Sequence, residues 1–264
     1  MIPASVVNAF TIALLSTTIL PIAILIYLAV KKKINGRPLL FGFLAFFASQ
    51  MLLRLPLLSV ISGMEWFDTF AGQFIPFALF LSFTAGLFEE SARLGGALLL
   101  KYKRSYKDAI SFGLGHGFCE VIMLIGLTHI NNVVLCMAVN NPGDAMALAM
   151  APELLGEAAE VLAGVNPLHV YLGIFERVFA VIFHVFATVL VFLGVVKKKW
   201  IYFIMAIGAH TLFNFIAVLL ANYVNIYVSE AAILVMALAA GWYTLKCKPF
   251  FDMQVEVIDQ PATP

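Results

Sequence analysis

The sequence has little charge and little cysteine. Lys, Arg, Asp and Glu make up 12% of its 264 residues, whereas roughly a quarter of the residues of a soluble globular domain are charged. This composition excludes a soluble globular domain, and it excludes a disordered chain still more firmly. The net charge of +1 gives no reason to expect nucleic acid as a partner. The three cysteines follow no CxxC or paired spacing, so neither a disulfide framework nor a zinc–thiolate site is expected.

Apolar residues dominate the chain instead. Hydrophobic residues make up 62% of it and the mean hydropathy is +0.99, which indicates an integral membrane protein. Because a spanning helix takes about 20 residues, seven such helices with short loops would occupy the whole sequence. We therefore expect a single integral-membrane domain over residues 1–264, without a separate soluble domain.

The apolar runs predict an all-α, polytopic membrane helix bundle of about seven transmembrane helices. The spans are predicted at about residues 6–30, 38–61, 70–100, 108–139, 168–196, 200–224 and 231–245. The first run is followed, not preceded, by basic residues, the reverse of a signal peptide, so we expect it to stay in the protein. After the fourth span, Glu153, Glu157 and Glu160 recur at helical spacing among apolar residues. This pattern predicts a surface amphipathic helix at about 150–163.

The basic residues predict the orientation of the chain. Thirteen of the sixteen Lys and Arg residues fall in alternate loops and the C-terminal tail, which this topology places on one side of the membrane, and the loops of the other side hold none. The positive-inside rule therefore places the N-terminus outside and the C-terminus in the cytoplasm. The other three, Arg54, Arg93 and Arg177, lie inside predicted helices.

Many ionisable side chains lie inside the predicted spans. Each is costly in hydrocarbon unless it is paired or faces water, so each needs a reason to be there. With a rise of about 1.5 Å per residue, four helices bring such groups to one layer, in the half of the bilayer that we assign to the cytoplasm. The polar residues inside the spans include Arg54, Glu89, Glu90, Arg93, His116, Glu120, Glu176, Arg177, His184, His210 and Asn214, and those at this one layer are Glu89, Glu90, His116, His184, His210 and Asn214.

Spacing places several of these residues on shared helix faces. Arg93 lies at i+4 from Glu89 and at i+3 from Glu90, so its guanidinium can hold either carboxylate ionised and orient it. A lone pair of this kind is more often a structural ion pair, and a lone intramembrane histidine is as often a packing residue as a ligand. The conjunction of carboxylates, histidines and an asparagine at one depth favours chemistry.

The histidines also have polar residues or glycines at positions that indicate a shared site. His116 and Glu120 are four residues apart, as are His210 and Asn214, and His184 lies on a further helix. Three glycines around His116, at positions 113, 115 and 117, predict close helix packing or the approach of a substrate backbone.

Two kinds of water activation fit this set. A glutamate could take the proton while imidazole or amide groups stabilise the oxyanion. Alternatively, two or three histidines and a glutamate could bind Zn²⁺ and activate its water. Both lead to hydrolysis, and the sequence has no HExxH, GxSxG or paired aspartates of the aspartyl intramembrane type, so zincin, serine and aspartyl mechanisms have no support.

Three motifs resemble those of a known superfamily. Glu-Glu-Ser-Ala-Arg at 89–93, Phe-Gly-Leu-Gly-His at 112–116 and His-Thr-Leu-Phe-Asn at 210–214 resemble motifs of the CAAX-protease and bacteriocin-immunity superfamily of intramembrane proteases. The form Gly-His-Gly-Phe-Cys-Glu at 115–120, with Glu-Arg ahead of His184, looks most like its YhfC branch, described as intramembrane metalloproteases. The resemblance covers roughly residues 83–214.

The resemblance implies roles for individual residues. Glu89 or Glu90 would activate water and Arg93 would orient the carboxylates. His116, His210 and Asn214 would bind a metal or stabilise the oxyanion, and Glu120 and His184 would complete the site. The candidate metal ligands are His116, His184, His210 and Glu90, with zinc as the candidate ion.

The expected activity is an intramembrane endopeptidase of a prokaryotic plasma membrane, with membrane proteins or peptides in the lipid bilayer as substrates. Two other functions stay open: a transporter of divalent cations or protons, and a non-catalytic immunity or scaffold protein that keeps an inherited polar core. Against a carrier, the halves of the chain share no repeated motif and no matching pair of broken helices.

Overall fold

The computed structural model describes residues 1–101 and 104–258, and all regular structure in them is helical. Within these two ranges, seven helices are long and apolar enough to cross a membrane, which confirms an all-α polytopic membrane protein. They are α1 (Ala4–Val30), α2 (Gly36–Ser62), α3 (Phe74–Leu99), α4 (Tyr106–Asn140), α5 (Pro167–Lys197), α6 (Ile201–Tyr223) and α7 (Ile226–Ile258).

The helix ends differ from the predicted ones where polar residues were taken for loops. The predicted span 70–100 is α3 preceded by a separate short helix, Glu65–Ala71. Helix α7 begins five residues before the predicted start at 231, because polar side chains near its beginning find hydrogen-bond partners within the protein. The hydroxyl of Ser229, for example, donates to the carbonyl oxygen of Ala217 at 2.8 Å. Polarity alone is therefore a poor marker of a helix end in this chain.

The chain forms two compact units. The first holds residues 1–27 and 120–178, and its core joins the start of α1 to Cys136 of α4 and to the surface helix. Two hydrogen bonds between the main chain of Ile2 and the side-chain amide of Asn140, at 2.7 and 3.0 Å, tie α1 to the end of α4. The surface helix is Pro152–Ala163, which buries Ala158 and Leu162 and exposes its three glutamates.

The second unit holds residues 28–119 and the described residues from 179 onward. Its largest apolar cluster lies around Phe112, Phe192 and Leu193, all at most 1% exposed. The glycines around His116 let neighbouring helices approach the main chain of α4, as their positions predict. A Cβ at Gly115 would collide with the carbonyl oxygen of Leu39 on α2, and a Cβ at Gly113 would lie 2.7 Å from Cα of Val185 on α5.

This close contact gives a first prediction. The Gly115→Ala variant should lower the free energy of unfolding by about 1–3 kcal/mol, because backbone must shift to admit the methyl group. Thermal unfolding of the detergent-solubilised protein measures it. Gly208→Ala on α6 is the matched control, since a Cβ there would meet nothing within 4 Å. Equal melting temperatures for the two variants would contradict the prediction.

Candidate metal centre

Six ionisable side chains meet inside the second unit. Helix α3 contributes Glu89, Glu90 and Arg93, while α4, α5 and α6 contribute one histidine each. The side chains of this polar cluster are almost completely enclosed, with at most 4% of each residue exposed. The members of the cluster are Glu89, Glu90, Arg93, His116, His184 and His210.

Small residues set the spacing of the helices that carry the cluster. A Cβ at Gly86 on α3 would lie 3.2 Å from Cβ of His210, and one at Gly117 on α4 would lie 3.3 Å from Cβ of His184. Both distances are shorter than ordinary contacts between carbon atoms. The two histidines therefore approach the neighbouring helices at positions where no side chain intervenes.

Arg93 links both carboxylates to a histidine. Its Nη1 donates to Oε1 of Glu90, and its Nη2 lies 3.4 Å from Oε2 of Glu89. The same Nη2 donates to Nδ1 of His184 at 2.6 Å. Because a guanidinium has only donors, this Nδ1 must accept and the proton of the neutral ring lies on Nε2. These contacts are the ones that the orienting role of Arg93 would use, and that role stays a prediction.

Glu89 lies among the three histidines. Its Oε2 is 2.9 Å from Nε2 of His116 and 3.7 Å from Nδ1 of His184. Its Oε1 is 3.8 Å from Nε2 of His210 and accepts a hydrogen bond of 2.7 Å from the side chain of Gln50. Glu89 is thus the carboxylate that faces the imidazoles.

Glu90 has different partners. Its Oε1 accepts from Nδ1 of His210 at 2.7 Å as well as from Arg93, and its buried Oε2 has no hydrogen-bond partner among the described residues. The contact with the carboxylate fixes the proton of neutral His210 on Nδ1 and leaves Nε2 as an acceptor. Such a carboxylate–imidazole pair is the arrangement that orients both catalytic histidines and metal ligands.

Glu89, His116 and His184 form a group that could hold one metal ion. One ligand atom from each lies within 4.8 Å of the others, and all three residues are buried. Two histidines and one carboxylate also make up the ligand set of many catalytic zinc sites, which keep a further position open for water. Of the predicted ligands, His116 and His184 belong to this group. Glu90 and His210 lie outside it and contact each other, so their assignment as ligands stays a prediction.

The charges of the cluster also suit a cation. With neutral histidines, two carboxylates and one guanidinium leave one uncompensated negative charge in a buried place, which is unfavourable. Since Arg93 donates to Nδ1 of His184, an ion bound at that atom would replace this hydrogen bond. The donor set and its charge therefore fit a divalent metal ion.

Sequence reasoning missed Gln50, which lies in a π-helical stretch of α2, Phe47–Arg54. Its amide nitrogen donates to Glu89 and its amide oxygen accepts from Arg54 at 3.2 Å. Arg54 in turn donates to the carbonyl oxygen of Leu81 at 2.7 Å. Turns of π-helix are rare and frequently occur at functional sites. The i, i+4 spacing of Gln50 and Arg54 was the available signal.

Two other predicted residues are placed differently. Glu120 belongs to the first unit, where its carboxylate accepts from Arg177 at 2.9 Å, and Arg177 also pairs with Glu176. Asn214 lies one turn beyond His210 on α6 and is half-buried. Their roles in a reaction stay predictions.

Comparisons with known proteins point to one family. The model of the family described as YhfC intramembrane metalloprotease matches residues 16–235. The uncharacterized membrane protein YhfC of Bacillus subtilis (strain 168) is 28% identical over 173 residues, which cover 64% of this chain and 67% of the relative. No solved structure matches the chain. Placement within the CAAX-protease superfamily stays a prediction.

The contacts of Arg93 give a second prediction. Arg93→Gln should destabilise the protein by about 3–5 kcal/mol, because it leaves two buried carboxylates without their cation. Adding Glu90→Gln to that variant should recover part of the loss, since one unpaired charge is removed. The exposed Arg37→Gln is the control, and thermal unfolding in detergent is the measurement. If Arg93→Gln alone is as stable as the wild type, the pairing contributes nothing to the free energy of unfolding.

Proposed function

The chain belongs to the YhfC intramembrane metalloprotease family, and we propose that it is an intramembrane endopeptidase that hydrolyses peptide bonds of membrane-associated substrates. The observation that carries this proposal is the buried group of Glu89, His116 and His184, whose ligand atoms lie close enough to share one ion. The description of this family as intramembrane metalloproteases is the second support. Membrane-anchored proteins or peptides are the substrate class, because the site residues lie within helices of membrane-spanning length.

Glu89, His116 and His184 would hold the metal, for which zinc is our candidate. When bound, zinc lowers the pKa of its water to near 7 and polarises a carbonyl group. In this assignment Glu89 is a ligand rather than the residue that accepts a proton. The hydrogen bond from Gln50 to Oε1 then restricts rotation of the Glu89 carboxylate.

The pair of Glu90 and His210 supplies the proton chemistry in this proposal. Glu90 holds Nδ1 of His210, so Nε2 is free to accept a proton from water. The same Nε2 could instead join the metal ligands, with Glu90 as its supporting carboxylate. Asn214, one turn further along α6, is the amide that we assign to stabilising the oxyanion of the peptide carbonyl.

Arg93 does not act as a proton donor or acceptor here. It holds Glu90 and Glu89 in place through its ion pairs. We also propose that the N-terminus lies outside and the C-terminus lies in the cytoplasm of a prokaryotic cell, because the Lys and Arg residues cluster in alternate loops and the tail.

Metal analysis of variants tests the assignment of ligands. The purified wild-type protein should hold about one equivalent of zinc, as expected for one mononuclear site. His116→Ala, His184→Ala and Glu89→Gln should each lose it, along with cleavage of a library of transmembrane peptides. Elemental analysis and mass spectrometry of the cleavage products are the two readouts, made on the same detergent samples.

Two variants refine the outcome. His210→Ala separates the two uses of that ring, because zinc is retained if His210 accepts the proton and is lost if it is a ligand. His169→Ala is the matched control, since that histidine lies in the other unit and is exposed. Cleavage by a zinc-free wild-type protein would refute the metal assignment, and zinc without any cleavage would refute the proposed peptidase.

Gln50 gives a further prediction. Gln50→Ala should lower kcat for peptide cleavage roughly 10- to 100-fold, the usual effect of losing a residue that orients a metal ligand. Gln50→Glu should lower kcat further, because it places a second carboxylate next to that of Glu89. The exposed Gln73→Ala is the control for the same substitution elsewhere. Unchanged kcat in Gln50→Ala, with normal melting temperature, would exclude the positioning role.

A further inference from the structure

A separate cavity lies between the ends of α3, α5 and α6, in the second unit. Its volume is about 320 Å³. Its lining includes the buried or half-buried apolar side chains of Leu94, Val191, Val195 and Phe203. No residue of the polar cluster lines it, and the proposed peptidase reaction makes no use of it.

Three basic residues also line the cavity: the half-buried Arg104 and the exposed Lys198 and Lys199. The exposed side chains of Leu98 and Trp200 lie beside them. Within the described residues, none of these three cations pairs with a carboxylate. The cavity thus combines unneutralised positive charge with an apolar interior.

Local structure fixes these cations at the cavity. The guanidinium of Arg104 donates to the carbonyl oxygens of Ala97 and Leu98, at 2.9 Å each, and so caps the end of α3. After α5, Lys198 adopts a positive φ of 55°, and the main-chain N–H of Lys199 donates to the carbonyl oxygen of Gly194 at 2.9 Å. The two lysines therefore extend from a defined turn rather than from a loose tail.

We propose that this cavity binds an anionic phospholipid. The headgroup phosphate contacts Arg104, Lys198 and Lys199, and the first part of an acyl chain lies along Leu94 and Phe203. Basic pockets between membrane helices bind anionic lipid headgroups in this way, and tryptophan is enriched at the same level of the bilayer. A free phosphate ion would fill only a small part of the cavity and leave its apolar lining in contact with water, which favours the lipid.

The position of the cavity connects it to the helices of the polar cluster. Leu94 directly follows Arg93 on α3, Val191 lies two turns beyond His184 on α5, and Phe203 lies two turns before His210 on α6. A lipid in the cavity therefore contacts three of the four helices that carry the polar cluster. The proposal concerns binding alone and holds whether or not the cluster cleaves peptides.

Lipid titration followed by native mass spectrometry tests the proposal. The probes are phosphatidylglycerol and the zwitterionic phosphatidylcholine, added to the full-length protein in a neutral detergent. We expect tighter binding of phosphatidylglycerol, and a loss of roughly tenfold or more in its affinity for Lys198→Gln/Lys199→Gln, from the contribution of each cation near a lipid surface. Lys31→Gln/Lys33→Gln removes two exposed basic residues elsewhere and should bind like the wild type.

A second variant and a competition complete the test. Val195→Phe fills the cavity without changing its charge and should also weaken phosphatidylglycerol binding, whereas inorganic phosphate and glycerol 3-phosphate should not displace the lipid. The proposal is overturned if phosphatidylcholine binds equally well, or if the control double variant loses as much affinity. Displacement by inorganic phosphate would also overturn it and would indicate a soluble anion as the ligand.

Discussion

The pairing of Arg93 with two glutamates of its own helix is the interaction on which the rest of the polar cluster depends. Two carboxylates cannot be buried side by side without a cation, and Arg93 contacts both from one and the same turn of α3. The guanidinium also holds His184, so the position of a histidine on another helix follows from the ion pairs. Removing the cation would therefore disturb charge, orientation and helix packing together.

Close helix packing complements this pairing. Glycines on α3 and α4 meet His210 and His184 where a side chain would keep the helices apart, and the histidines then reach the carboxylates directly. The two glutamates acquire different surroundings as a result. Glu89 faces the imidazoles and Gln50, while Glu90 is held by Arg93 and His210. Adjacent residues in sequence thus become a candidate ligand and the partner of a candidate base.

Much of this arrangement could be predicted from the sequence, because it depends on spacing within single helices. The seven spans and the contacts of Arg93 with Glu89 and Glu90 follow from helical periodicity and from the cost of charge in hydrocarbon. The choice between the glutamates could not be predicted, since it depends on the rotation of α3 relative to the histidine-bearing helices. Gln50 could not be predicted either, because it is uncharged and the direction of its side chain depends on a π-helical stretch.

Helix α3 is the least apolar of the seven spanning helices of the described residues, and it carries its own counter-ion, Arg93. The three histidines come from α4, α5 and α6, which the ribosome makes later. Because Arg93 pairs with both carboxylates within α3, this helix enters the bilayer with one net negative charge at the site rather than two. The histidines then arrive at a polar face whose negative charge is already reduced. The order of residues along the chain thus lowers the charge that the nascent protein exposes to lipid before the other helices are in place.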